Sequence, residues 1–489
     1  MPYHFDLLVI GAGPAGEKAA AQAAYFGKRV AIVEKERQLG GACVNTGTLP
    51  SKTLRETALF LSGFRQRQLY GFSFDAGENV SVSRFMSRQE PVCGGEIQRI
   101  HGNLARHHVT LLWGTAHFVD EHTIEIAMRD GTAQKRVTAD VILIATGSSP
   151  FRPANIPFDD HDVDDSDSIL KLDRIPRTMT ILGAGVIGCE YATIFAPLGV
   201  QVTLVEPRAQ MLPFLDQEIS GLLVAKLAEI GVKLITKAEA KAVVKDVDGL
   251  IHTTLSTGEG LVSEKLLYAA GRNGNTRGLG LETIGVETDK RGLLKVDEHF
   301  RVAGARGGRV YAAGDVIGFP ALASVSMEQG RVAVCHAFEL KYKTKVSEHL
   351  PYGIYTIPEV SMIGETEESC RVKEIDYVVG RARYKDNARA QIVGDADGLI
   401  KLVVRASDQV LLGVHIIGER ATELVHVGQM VIHAGGSIDT FIYEVFNYPT
   451  LSEMYKYAAY DALGALARRT EQLTPSGFWP QSELLDLDK

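Results

Sequence analysis

At 489 residues, the chain is long enough for about three domains of roughly 150 residues, each with a core of its own. Lys plus Arg number 52 against 60 Asp plus Glu, a formal charge of −8, which disfavours nucleic acid and anionic membrane as partners. A hydrophobic content of 45% with 23% charged residues excludes a disordered chain, and no apolar run reaches the length of a membrane span.

The chain opens on an apolar run, Phe5 to Ile10, with Asp6 where a signal peptide carries positive charge, so a cytoplasmic protein is expected. There follow Gly11-Ala-Gly13-Pro14-Ala15-Gly16, an alanine-rich stretch that predicts a helix, and a second apolar run ending at Glu34 and Lys35. The same order recurs later: Met179 to Leu182, then Gly183-Ala-Gly185-Val186-Ile187-Gly188, a helix expected through Leu198, and Gln201 to Glu206. In such a unit the first glycine permits a tight turn and the second lets a pyrophosphate approach the backbone. The third lets helix pack on strand, and the helix N-terminus faces the phosphates. In both units a carboxylate follows the last glycine at the same spacing, placed to accept hydrogen bonds from a ribose diol. One such motif is weak, but two in full strand, turn, helix, strand and Glu context predict two dinucleotide-binding units.

Further along, Asp140 to Gly147 reads as a strand ending in the turn Ala145-Thr146-Gly147, with Pro150, Pro153 and Pro157 as a linker. Arg309 to Asp315 reads as another strand, placing Gly314 and Asp315 at its carboxyl end, where open α/β sheets bind ligands; capping of a following helix is the other reading of Asp315. From about Pro351 strands (Gly398 to Val404, Val410 to Ile417) alternate with helices and a third, different domain is expected. The five cysteines, Cys43, Cys93, Cys189, Cys335 and Cys370, are scattered without a C-x-x-C pair. Neither a disulfide framework nor a zinc site is expected, and a reducing compartment is. His101, His107 and His108 lack a ligand frame, so no metal is expected. The basic run Arg381, Arg383, Lys385 and Arg389 reads as a solvated or interface face, and the tail from Thr470 to Lys489 has no assignable role.

With these units, the segment Gly40-Gly41-Ala42-Cys43-Val-Asn-Thr-Gly-Thr48-Leu-Pro-Ser-Lys52 resembles the two-dinucleotide-binding flavoprotein disulfide reductases, such as dihydrolipoamide dehydrogenase and glutathione reductase. The resemblance runs from about residue 4 to about residue 465. It implies an α/β fold with two Rossmann-like dinucleotide-binding domains and an α+β C-terminal dimerisation domain. The implied bounds are 1–149 with 276–346 for FAD, 150–275 for NAD(P), 347–470 for a homodimer interface, and 471–489 as a tail. It further implies FAD contacts at Gly41, Ala42, Cys43, Lys52, Ala116 and Ala321-Leu322-Ala323, besides the first-unit residues, Ala145 to Gly147, Gly314 and Asp315. Nicotinamide nucleotide contacts are implied at Gly183 to Gly188, Glu206, Arg208, Gly271 and Arg272.

Two departures from that family are informative. Its redox disulfide needs a second cysteine where this chain has Thr48, and its acid–base histidine stands where this chain has Tyr448, in Asn447-Tyr448-Pro449-Thr450-Leu-Ser-Glu453. That combination, with Tyr352-Gly-Ile-Tyr-Thr-Ile-Pro-Glu359 and Ala388-Arg-Ala-Gln-Ile392, is similar to one branch of the family, the soluble FAD-dependent pyridine nucleotide transhydrogenases. The branch implies hydride transfer between NADPH and NAD⁺ through FAD, with no redox disulfide. Other readings are an NAD(P)H diaphorase or oxidase, and a flavoprotein subunit without activity.

The resemblance also implies that Lys52 lies beside the flavin, paired with Glu190, and that a helix starting near Ala321 to Ser324 points its N-terminus at the reduced ring. Cys43 is left open between an inert thiol, a residue tuning the flavin surroundings and a reactive thiol. Nucleotide choice is open as well. Glu206 suits NAD(H), and at an effective dielectric near 20 and about 4 Å it would repel a 2′-phosphate by roughly 4 kcal/mol. Arg208, either a surface residue or a phosphate contact, would offset part of that, so weaker binding of NADP(H) than of NAD(H) is expected.

Overall fold

The computed structural model describes residues 3–63, 80–132 and 134–473; the final residues of the tail, 474–489, lie outside them. The chain forms two compact units. One holds Met1–Leu212, Val224–Leu350 and Tyr355–Ile357, and the other Pro213–Leu223, Pro351–Ile354 and the described residues from Pro358 on.

The first unit contains both expected glycine-rich units, each on its own parallel sheet. In the first sheet Phe5–Ile10 lies between Val30–Glu34 and Lys135–Ile144, with Thr110–Phe118 and Val310–Ala312 outside them, all parallel. Thr123–Met128 runs antiparallel to both Thr110–Phe118 and Lys135–Ile144. The strands are fully apolar where both faces are covered: Leu7, Leu8, Val9, Ala31 and Ile32 have no exposure. In the second sheet Thr178–Leu182 lies between Gln201–Glu206 and Lys265–Tyr268, flanked by Lys233–Thr236 and Val163–Asp165, again all parallel. A short antiparallel pair, Ser148–Pro150 with Arg272–Gly274, joins the segment after Lys135–Ile144 to the segment after Lys265–Tyr268.

The helix after the first motif is Pro14–Tyr25, with proline at its start, where a missing N–H costs nothing. The second is Val186–Phe195, continued as a tight turn to Leu198, as its sequence predicts. Asp315 opens a short turn rather than the next long helix, which spans Ala323–Ala337 with Leu322 as its cap. The capping alternative for Asp315 is therefore set aside.

The second unit is an antiparallel sheet in the order Tyr352–Ile354, Val360–Gly364, Leu411–Ile417, Leu399–Arg405, Tyr377–Arg383. The helices Ala421–His433 and Met454–Leu473 contribute to its core through Val425, Tyr455 and Ala458. Lys401, inside the Leu399–Arg405 strand, is 1% exposed and meets Asp216, Glu218 and Glu367 at 2.8, 2.9 and 2.5 Å. A buried ammonium needs such partners, and here they tie residues 213–223, which fall inside the 150–275 bounds that the resemblance implies, to this sheet. Of the basic run, Arg381 forks onto Glu218, and Arg383, Lys385 and Arg389 are exposed.

Candidate active site

Both glycine motifs fold into the same cradle. Gly11 turns at φ 103° and Gly183 at φ 104°, values that favour glycine. A methyl on Gly16 would sit 2.0 Å from Gly11 O and one on Gly188 1.9 Å from Gly183 O, so neither position admits a side chain. The carboxylates repeat as well: Ala12 N–H donates to Glu34 Oε2 at 2.7 Å, and Ala184 N–H to Glu206 Oε2 at 2.9 Å. Burial raises the Glu34 carboxyl above its ordinary range.

Around the first cradle, Gly41 faces Gly13 so closely that a methyl on it would lie 2.9 Å from Gly13 Cα. A methyl on Gly11 would lie 2.4 Å from Ala145 O and 3.3 Å from Thr146 Cα. Thr146 Oγ1 is buried and has no partner among the described residues. Asn275 holds this turn, donating its side-chain N–H to Thr146 O and its backbone N–H to Gly147 O, both at 3.0 Å. Asp315 Oδ2 accepts from Ser148 Oγ at 3.0 Å, and Ser148 in turn receives Arg272 Nε at 2.9 Å. Gln329 Oε1 accepts from Gly314 N–H at 2.9 Å. Ser148, Asn275 and Gln329 were not singled out from the sequence, because their partners come from distant segments.

Beyond Glu34, Lys35 is exposed and its carbonyl accepts from Arg129, whose guanidinium lies 5.3 Å over the Trp113 ring. Trp113 and Arg129 line a cavity of about 520 Å³ together with Arg37, Met128 and Asp130. Ala116 is buried in the same strand as Trp113. Sequence reasoning missed this aromatic wall.

Cys43 lies in the short helix Gly41–Asn45, and Thr48 begins the helix Thr48–Ser62 that carries Lys52. Burial pushes the Cys43 thiol up, opposed by a hydrogen bond with Thr48. All five cysteines are free thiols. Lys52 Nζ meets Glu190 Oε2 at 2.6 Å and lies 5.0 Å over the Tyr355 ring; Tyr355 N–H donates to Glu190 Oε1 at 3.0 Å. One turn further along the helix, buried Arg55 donates to Thr356 O at 3.0 Å, fixing the Tyr355 segment. Tyr355 and Arg55 are additions to the expected pair.

In the second cradle Val186 and Ile187 open the helix behind Gly185, and Gly271 turns at φ 125° just before Arg272. Arg208 folds back on Glu206, Nε to Oε1 at 2.6 Å and Nη2 to Oε2 at 3.1 Å. Burial alone would raise the Glu206 carboxyl, but Arg208's hydrogen bonds hold it below its ordinary range. Tyr448 and Glu453 belong to the second unit. Tyr448 is exposed, and Glu453 accepts from Tyr457 OH at 3.3 Å. Among the described residues no helix is long and apolar enough to cross a membrane.

Residues 5–330 match the pyridine nucleotide-disulphide oxidoreductase family, and residues 350–459 match its dimerisation domain. The soluble pyridine nucleotide transhydrogenase of Mycobacterium bovis (strain BCG / Pasteur 1173P2) is 46% identical over 94% of this chain and 98% of its own. That of Yersinia enterocolitica is 42% identical over 95% and 99%. Among solved structures, LpdA of Mycobacterium tuberculosis is similar at a TM-score of 0.85 and 27% identity, covering 93% of this chain and 99% of its own. The HOCl-induced flavoprotein disulfide reductase RclA of Escherichia coli follows at 0.80 and 26%, covering 92% and 98%. Two dinucleotide cradles of one design, and these likenesses over nearly the whole length, place the chain in the pyridine nucleotide-disulphide oxidoreductase family.

Proposed function

We propose that the chain is an FAD-dependent NAD(P)⁺ transhydrogenase that moves hydride between NADPH and NAD⁺ without a redox disulfide, as a cytoplasmic homodimer. The observation that carries this reading is a contrast. Both dinucleotide cradles and the Lys52–Glu190 pair are complete, while Thr48 stands where a disulfide would need its second sulfur and Tyr448 where the acid–base histidine would stand.

The first cradle fits FAD. The narrow Gly13 and Gly41 approach leaves backbone N–H groups for a pyrophosphate, Thr146 Oγ1 lacks a partner, and Glu34 keeps acceptor positions for a ribose diol. Asp315 would hold the flavin's ribityl chain, and the wall of Trp113 and Arg129 would take the adenine. Bound there, FAD would supply the two-electron chemistry for hydride transfer between nicotinamides.

The chain's own residues supply position and charge. Lys52, fixed by Glu190 and capped by Tyr355, presents a cation where negative charge arrives with the hydride. The N-terminus of Ala323–Ala337, which the family resemblance points at the flavin, would add a positive dipole end to the same task. Gly183 to Gly188 and Glu206 would hold each nicotinamide nucleotide in turn, so that donor and acceptor use one site.

The test is an assay with NADPH and the NAD⁺ analogue thio-NAD⁺, with and without oxygen. Transfer at the same rate in both conditions supports a transhydrogenase. NADPH consumption that requires oxygen, with no reduction of thio-NAD⁺, would mark an oxidase instead.

A further inference from the structure

The two cradles differ in how the carboxylate that follows each is engaged. Glu34 receives only two backbone donors among the described residues, Ala12 N–H and Glu36 N–H, both at 2.7 Å. The residue two places on, Glu36, is exposed and carries the same sign of charge. A carboxylate has about four acceptor positions, so Glu34 keeps enough for both hydroxyls of a ribose diol. Glu206 receives the equivalent pair, Ala184 N–H at 2.9 Å and Arg208 N–H at 3.1 Å, and in addition the Arg208 side chain through Nε at 2.6 Å and Nη2 at 3.1 Å. Its acceptor positions are all taken. Arg208 is itself half-exposed, at 53% of its side chain against 2% for Glu206, and the remaining guanidinium N–H groups, including those of Nη1, donate to nothing among the described residues.

We propose that Arg208 is a latch on Glu206 that sets nucleotide choice with opposite sign for the two substrates. This rests on reading the second cradle as the nicotinamide nucleotide site. NAD(H) needs the Glu206 acceptors for its 2′- and 3′-hydroxyls, so Arg208 must swing off before the diol can bind. NADP(H) has no 2′-hydroxyl to donate, and a bare carboxylate would repel its phosphate. With the latch closed the pair is neutral, and the outward guanidinium N–H groups meet the phosphate in the forked geometry suited to it. One arginine therefore weakens the binding of one nucleotide and strengthens that of the other, narrowing the gap between them. The strong repulsion expected from Glu206 alone is removed because the carboxylate is not bare.

The test is calorimetric titration of the flavin-loaded protein with NAD⁺ and NADP⁺, and with the fragments 5′-ADP and 2′,5′-ADP, for the unaltered chain, Arg208→Ala, Arg208→Lys and Arg208→Glu. Loss of charge-assisted hydrogen bonds to the phosphate is expected to raise the NADP⁺ Kd of Arg208→Ala by about 10- to 100-fold. Release of Glu206 is expected to lower its NAD⁺ Kd by about 2- to 5-fold. The two fragments should show the same crossing, which places the effect at the 2′ position. Arg208→Lys, keeping the charge without the fork, should lie between, and Arg208→Glu, which copies the first cradle, should not bind NADP⁺. Equal weakening of both nucleotides, or an unchanged NADP⁺ Kd in Arg208→Ala, would overturn the latch while leaving the site in place. If the unaltered protein binds neither nucleotide, the nucleotide-site reading itself falls.

Discussion

Replacing Glu190 by Gln removes the charge that fixes Lys52 while keeping the shape of the side chain. Glu190 is 5% exposed and Lys52 25%, and their polar atoms are 2.6 Å apart. At an effective dielectric near 20, unit charges at that separation attract by about 6 kcal/mol, a gross figure. Desolvation of the nearly buried carboxylate offsets much of it, and removing one member of a fully buried pair costs about 3–5 kcal/mol. Lys52 can turn partly to water, which reduces the loss to about 2 kcal/mol. If that fixed cation is what stabilises the transferred charge, flavin reduction at saturating NADPH should slow by about 30-fold. The assay is anaerobic rapid-mixing absorbance of the flavin band, in protein shown to be folded and fully loaded. NADPH affinity should change little, because Glu190 does not belong to the glycine cradle. A rate within about twofold of the unaltered enzyme would refute the assignment of Lys52.

Gly188→Ala should abolish nicotinamide nucleotide binding with FAD retained, and Gly16→Ala should yield protein without flavin, because each new methyl would fall 1.9–2.0 Å from a carbonyl oxygen and overpacking of that kind costs about 1–3 kcal/mol or more; flavin absorbance and nucleotide titration read both. Burial alone would raise the Asp162 carboxyl, but hydrogen bonds from Lys245 and Arg174 outweigh it and bring it down to about 2. A carboxyl depressed in the folded state stabilises above its ordinary range and loses that contribution as pH falls. Unfolding by urea should therefore show about 1–2 kcal/mol of stability lost between about pH 4 and pH 2, a slope that Asp162→Asn flattens. Because burial raises the Cys43 thiol, its alkylation by iodoacetamide should be slow at neutral pH and accelerate only in alkali, as followed by mass spectrometry.

What the sequence made legible is what is local along the chain. The glycine spacings, the strands that flank them and the carboxylate after each are set within a few turns, and the structure builds them as expected. Asn275 on the Thr146 turn, Ser148 on Asp315 and Gln329 on Gly314 were not legible, since nothing in a polar residue's own neighbourhood names a partner in another segment. Lys401 is the sharpest case. A lysine alternating into a strand reads as a solvated side chain, yet it is buried by three carboxylates, two of them from residues 213–223. The proximity of Lys52 to Glu190 rested on resemblance, and the hydrogen bond between them now gives it a geometry. For Arg208 the sequence left two readings, and only the folded side chain reveals that it covers Glu206.

The most direct test of disulfide-free hydride transfer is the anaerobic reduction of thio-NAD⁺ by NADPH in Cys43→Ser, measured beside the unaltered enzyme and beside assays of lipoamide and glutathione disulfide. Cys43 faces Thr48 rather than a second sulfur, so the variant should keep most of the transfer between nucleotides, and neither protein should reduce either disulfide. Loss of transfer in Cys43→Ser, together with disulfide reduction by the unaltered enzyme, would contradict it.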